Sequence, residues 1–150
     1  MLAIAMIDQL ALLGQIVLAM VLGGIIGFER EHADKPAGLR THMFVAGAAT
    51  LLVGLSDAVV TSSELSPSLI RSDPIRIIEA IITGISFLGA GTILRRKEQG
   101  DVEGLTTAAS LLVVAGIGIA VGLTQFVLAI GMTILSVVVL YFVKSAVLPK

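Results

Sequence analysis

The sequence predicts an all-α, polytopic membrane fold of about five transmembrane helices with almost no soluble domain, and three observations point there. Of the 150 residues, 56% are hydrophobic and 14% charged, with a mean hydropathy of +1.02. An ordinary globular domain carries about 25% charged residues, so a chain this short and this apolar has lipid as its solvent. The apolar residues also gather into five runs, at 9–28, 39–60, 75–94, 105–122 and 124–143. Each approaches the roughly 20 residues that a helix rising about 1.5 Å per residue needs to cross about 30 Å of hydrocarbon. The whole of 1–150 reads as a single transmembrane domain.

The first run lacks a basic segment before it and is long and Gly-rich, so it reads as a retained helix rather than a cleaved signal. The most polar stretch follows, at 29–38, where Pro36 and Gly38 break any helix running through it. The second run opens on Leu39. Between the second and third runs, Asp73 is placed to cap the third helix and Pro74 to occupy its first position. The third loop covers 95–104, and the fourth is a tight turn at Gly122, Leu123 and Thr124. About seven residues remain after the fifth run, so the reading includes no appended soluble domain. Arg30, Lys35 and Arg40 flank the first loop, Arg95, Arg96 and Lys97 the third, and Lys144 and Lys150 the C-terminal end, against Arg71 and Arg76 on the other side. The positive-inside rule then puts the N-terminus outside and the C-terminus in the cytoplasm.

An offset of 66 residues aligns Leu22-Gly23 with Leu88-Gly89, Arg30 with Arg96, and Gly38, Leu39 and Thr41 with Gly104, Leu105 and Thr107. Under the charge-derived orientation, spans one and three run the same way, as do two and four. This fits two parallel hairpins related by an axis along the membrane normal, plus a fifth helix.

Composition excludes several classes. With no cysteine, disulfides, thiol catalysis, Cys-ligated zinc and Fe–S clusters are ruled out. Ten basic and eleven acidic side chains nearly cancel, leaving no basic face for nucleic acid. No nucleophile, base and orienting group stand at usable spacing, so the sequence gives no support for an enzyme. His32 and His42, ten residues apart across the Pro36 and Gly38 break, are a poor metal pair. Glu29, Glu31 and Asp34 have the chemistry to approach a hydrated Mg²⁺, although carboxylates among Arg and Lys are more often simply solvated. No other cofactor is indicated.

Three groups of residues stand out against the apolar background. Small residues recur four apart, as at Gly23 and Gly27 or Gly118 and Gly122, which in lipid is how helices approach closely. Gly84, Gly89 and Gly91 are denser than packing alone requires; they either pack span three or interrupt it and expose carbonyls to a polar path. At the cytoplasmic face, the starts of spans two and four offer free N–H groups, with Arg40 and Thr41 on one and Thr106 and Thr107 on the other. With Glu29, Arg30 and Arg96 nearby, these starts suit an anionic group; the alternative is that the hydroxyls only cap helices or bond the preceding turn. At the outer ends, Asp57, Asp73, Arg76 and Glu79 form a candidate intramembrane cluster, either a structural ion-pair network or a cation or proton site.

At residues 24–31, 35–42, Asp73-Pro74, Arg76, 84–92 and 104–110 the sequence resembles the MgtC/SapB family of bacterial membrane proteins, and the resemblance covers nearly the whole chain. It implies a helical domain of about five spans in the bacterial inner membrane and a link to growth in low magnesium and survival inside host cells. Some members resemble modulators of other membrane machines, notably the proton-translocating ATP synthase, and another reading makes the family magnesium transporters. Unlike the virulence-type members, this chain is expected to carry no C-terminal soluble domain, and Glu79 stands where many members carry an uncharged polar residue. The expectation is a small regulator, dimeric with itself and touching other membrane proteins through helix contacts. The alternative is a Mg²⁺ or proton transporter or channel subunit using Glu79 and the 84–92 segment.

Overall fold

The computed structural model describes the backbone of residues 2–62, 74–95 and 102–147, and the side chains of 6–59, 75–93 and 103–141. It contains five helices, α1 (Leu2–His32), α2 (Leu39–Ser62), α3 (Pro74–Thr92), α4 (Leu105–Gly122) and α5 (Phe126–Val147). Between α3 and α4 the chain forms two short antiparallel strands, β1 (Leu94–Arg95) and β2 (Val102–Glu103), pairing Leu94 with Glu103 and Arg95 with Val102. Among the described residues, four helices are long and apolar enough to span a membrane, and α5 adds an apolar segment at Phe126–Tyr141.

The runs seen in the sequence are thus the helices, with shifted ends. The first helix continues past Phe28 to His32, so Glu29, Arg30 and Glu31 sit on its last turn rather than in a loop. It stops by a Schellman closure: Lys35 N–H reaches the Arg30 carbonyl at 3.0 Å and Asp34 N–H the Glu31 carbonyl at 3.1 Å, with Asp34 left-handed at φ 54°. The end of α4 repeats the device. Gln125 N–H bonds the Ala120 carbonyl at 2.8 Å and Thr124 N–H the Val121 carbonyl at 2.9 Å, with Thr124 left-handed at φ 59°. Gly122, the first residue of the turn read from the sequence, is the last residue of the helix instead, and it packs on Val53, whose Cβ would lie 2.8 Å from a Cβ added there. The start of α4 does require its glycine: Gly104 has φ 94°, and a side chain there would strike the Thr92 carbonyl.

Close contacts fix the helix directions. Gly47 meets Met20 and Gly54 meets Leu12, so α1 and α2 are antiparallel. Gly118 meets Ala46 and Ala49 while Gly122 meets Val53, so α2 and α4 run parallel. Gly89 meets Ala108 beside the strand pair, so α3 and α4 are antiparallel. It follows that α1 and α3 also run the same way, as two parallel hairpins require. The offset of 66 even maps one contact onto another: Gly23 packs on His42, and Gly89 on Ala108. The ends bearing Arg30, Lys35, Arg40 and Arg95 therefore share one end of the bundle.

The core lies where α1, α2 and α4 meet, around Ile26, Ala46, Ala49, Leu111, Val114 and Val121. Lipid gives apolar side chains no reason to leave it, so close backbone approach has to hold these helices together. A Cβ on Gly23 would come within 2.7 Å of the His42 carbonyl oxygen, and one on Gly118 would strike the Ala46 carbonyl. Two polar bonds lock the α2–α4 seam at matching spacing: His42 with Ser110, and Thr50 with Gly118, each pair 68 residues apart.

Candidate functional site

At the end of the bundle where α1 stops and α2 and α4 begin, the structure gathers a buried polar cluster. Arg30, only 4% exposed, is ion-paired with Glu29 through Nε and a terminal nitrogen. Burying a guanidinium costs several kcal/mol unless it is paired, and the neighbouring carboxylate provides that pairing. Glu31, on the same turn, reaches across to α2 and accepts a 2.8 Å hydrogen bond from the Leu39 backbone N–H. The free N–H groups at the start of α2, read from the sequence as ground for an anion, thus already receive a carboxylate from the chain itself.

His42 is fully buried in the first turns of α2. Its Nδ1 lies 2.8 Å from the Gly38 carbonyl oxygen and its Nε2 3.0 Å from Ser110 Oγ. Ser110 Oγ in turn lies 2.8 Å from the Thr107 carbonyl oxygen, the preceding turn of α4. One helix turn pair deeper, Thr50 Oγ1 donates to the Gly118 carbonyl at 2.8 Å and also approaches the Ala46 carbonyl at 3.1 Å.

The residues expected at this face divide. Glu29, Arg30 and Thr107 are drawn inward, whereas Arg40, Thr41 and Thr106 are exposed, and Arg96 lies outside the described residues. Sequence reading missed the part played by His42, Ser110, Glu31 and Thr50. The signal available was their spacing: a polar side chain at 42 and 50 on α2, and 110 with Gly118 on α4, each eight apart along parallel helices.

The outer cluster is arranged differently. Asp57, Arg76 and Glu79 are all exposed, and Asp73 lies outside the described residues. Among the described residues Arg76 and Glu79 make no ion pair. They stand three apart on one face of α3, which continues through Ala80, Thr83, Phe87 and Ala90, all exposed. The other face, with Ile81 and Gly89 buried, packs on the bundle. The helix is unbroken from Pro74 to Thr92, so Gly84, Gly89 and Gly91 do not unwind it. Gly89 is a packing residue against Ala108; Gly84 and Gly91 have open space beside them. Among the described residues no three His, Asp or Glu side chains converge as a metal site. Glu29 and Glu31 are engaged with Arg30 and Leu39, and Asp34 is exposed.

The comparisons with known proteins fit this architecture. The chain is 43% identical over 115 residues to an uncharacterized protein of Haemophilus influenzae, covering 77% of this chain and 48% of that one. It is 44% identical over 117 residues to "Protein MgtC" of Salmonella typhimurium, covering 78% and 46%. It is 36% identical over 126 residues to "Putative magnesium transporter YhiD" of Escherichia coli, covering 84% and 57%. The chain therefore spans about half the length of the curated relatives it matches. No solved structure matches it. The family model described as the MgtC family matches residues 16–147, nearly the whole bundle, and the chain belongs to the MgtC family of membrane proteins.

Proposed function

We propose that this protein is a regulator in the bacterial inner membrane, tied to growth under magnesium limitation, that docks a helix face against other membrane proteins and against a second copy of itself. The observation that carries this reading is the outer face of α3. Arg76 and Glu79 are exposed in a helix otherwise apolar enough to span a membrane. Each charge left in lipid costs a few kcal/mol, so the face calls for cover. A second copy related by a twofold axis along the membrane normal supplies it. On two parallel α3 helices, Arg76 of each copy faces Glu79 of the other, offset by about 4.5 Å along the axis. Ala80, Thr83 and Ala90 on the same face allow close approach. The magnesium link rests on the names carried by the Salmonella and E. coli relatives.

The chain has no cysteine, so single-cysteine probes report cleanly. Thr83→Cys is expected to cross-link between copies in native membranes. Arg76→Glu is expected to lower that yield about tenfold, the loss of roughly 1.4 kcal/mol of association, and Arg76→Glu combined with Glu79→Arg to restore it. Absence of cross-linking at Thr83→Cys and at Ser86→Cys overturns the dimer. Cross-linking that captures only self-contacts, with no other membrane protein such as the ATP synthase, overturns the regulator.

A second reading, a Mg²⁺ or proton transporter or channel subunit, is favoured by the printed name of the E. coli relative and by Glu79. Purified protein in liposomes tests it. Flux under a Mg²⁺ or H⁺ gradient that falls with Glu79→Gln or Arg76→Gln supports transport, and no flux under either gradient rejects it.

A further inference from the structure

We infer that the bilayer around this protein is stepped: along the α1–α2 hairpin, lipid hydrocarbon climbs past the level at which α3 and α4 end, and over the α4–α5 turn it does not. The helix lengths come first. The apolar span of α1, Met6–His32, has 27 residues and that of α4, Leu105–Gly122, has 18. At about 1.5 Å per residue these cover roughly 40 and 27 Å, against about 30 Å of hydrocarbon. Tilting α1 on its own does not absorb the difference, because the helices advance in step. Gly27 packs on Leu39 and Gly54 on Leu12, so α1 and α2 cover equal lengths between those contacts. His42 bonds Ser110 and Val53 packs on Gly122, so α2 and α4 stay level too. Tilting the whole bundle would shorten the reach of α4, which is no longer than the core is thick. Leu12 and Val53 therefore lie level with the end of α4, and α1 and α2 run on beyond it. α3 packs Gly89 on Ala108 and begins at Pro74, near that same level.

The two faces of this overhang differ in chemistry. On α1 an exposed apolar stripe runs at helical spacing through Phe28, Val21, Val17, Leu13 and Leu10 to Met6, which is 59% exposed. On α2 a matching stripe runs through Phe44, Leu51 and Leu55 to Val59, 63% exposed. Both stripes face lipid lower down, and both continue apolar past Leu12 and Val53. The opposite faces turn acidic there. Asp8 follows the face of Leu12 and Ala19, and Asp57 the face of Val53, Thr50 and Ala46, which lower down pack on the bundle. Both carboxylates are exposed, about one turn beyond the end of α4, on the side of the α4–α5 turn, where Leu123, Thr124 and Gln125 are exposed as well. A carboxylate is costly in hydrocarbon, and Met6 and Val59 are costly in water. A lipid boundary that stands higher outside the hairpin than inside it satisfies both, and local thickening of a bilayer is cheap for each ångström. Met6 is six residues beyond Leu12, so the step reaches about 9 Å. It stands apart from the charged face of α3 and does not depend on the docking reading.

Met6 and Asp8 lie at nearly one height on opposite sides of α1, and the chain has neither tryptophan nor cysteine, so each position can carry a single probe. Met6→Trp and Asp8→Trp are compared in nanodiscs of phosphatidylcholine brominated on the acyl carbons nearest the headgroup. The step predicts bromine quenching of Met6→Trp roughly threefold stronger than of Asp8→Trp, with bluer emission. Met6→Cys and Asp8→Cys repeat the reading without a bulky ring: a water-soluble maleimide should label Asp8→Cys about tenfold faster. Weak quenching and fast labelling at both positions overturn the inference, since the overhang then stands clear of a flat bilayer. Strong quenching and slow labelling at both overturn it too, since lipid then surrounds the overhang on every side.

Discussion

Helices α3 and α4 are nearly the same length, 19 and 18 residues, and both are apolar, yet one is at the rim and the other is the centre of the molecule. α4 is enclosed by α1 and α2 on one side and flanked by α3 and α5. Its Thr107, Ser110, Val114 and Val121 are all buried. α3 packs through Ile81 and Gly89 and leaves Arg76, Glu79, Thr83 and Phe87, the last 81% exposed, facing away. Both are apolar enough to cross a membrane, and since lipid is as apolar as a protein interior, apolarity alone does not enclose one and expose the other. What separates them is where small residues meet a neighbouring backbone and where polar groups find partners. Gly118 and Gly84 are the same residue on apolar helices, but one is pressed against the Ala46 carbonyl and the other has open space beside it.

The sharpest test of this contrast is to add bulk at each glycine. Gly118→Leu is expected to destabilise the fold by about 3 kcal/mol or more, because the obstacle is backbone that cannot rotate away. Gly84→Leu, by contrast, should keep the thermal midpoint in detergent within the effect of roughly 0.5 kcal/mol and act only on association between copies. Equal damage at both sites would break the distinction between an enclosed and an open helix. Next in size is the tenfold loss of Thr83→Cys cross-linking expected for Arg76→Glu, which no residue of the α4 seam should reproduce. Thr50→Val removes the bond to the Gly118 carbonyl while keeping the shape, and intramembrane hydrogen bonds average about 0.6 kcal/mol. Equilibrium unfolding should therefore show a loss of about 0.5–1 kcal/mol, and no loss would mean that the seam rests on packing alone. The smallest effect is a gain. Thr124 is β-branched and left-handed at φ 59°. Thr124→Gly is expected to raise stability by a few tenths of a kcal/mol up to about 1, read as a higher unfolding midpoint.

Much of the architecture was legible as residues. The runs opening at Leu39, at Ile75 after Pro74, and at Leu105 after Gly104 begin within a residue or so of the helices. The parallel directions of α1 with α3 and α2 with α4 followed from where Lys and Arg fall. The sites were less legible. Glu29 and Glu31 looked like solvated loop carboxylates, and became an ion-pair partner and a helix cap only because α1 runs on to His32 and brings them to Arg30 and Leu39. His42 looked like a poor half of a metal pair with His32, because its true neighbour, Ser110, is 68 residues away. The short strands at 94–95 and 102–103 left no signal, being two residues each.

By itself the sequence determined the solvent, the number of helices and the ends at which charge collects, since each follows from the cost of placing backbone and charge in hydrocarbon. The tertiary structure alone decided which apolar helix is enclosed, which glycines touch backbone and which carboxylate meets which N–H. Those outcomes depend on contacts between residues far apart in the chain, and in lipid no gradient of hydropathy points from one to the other.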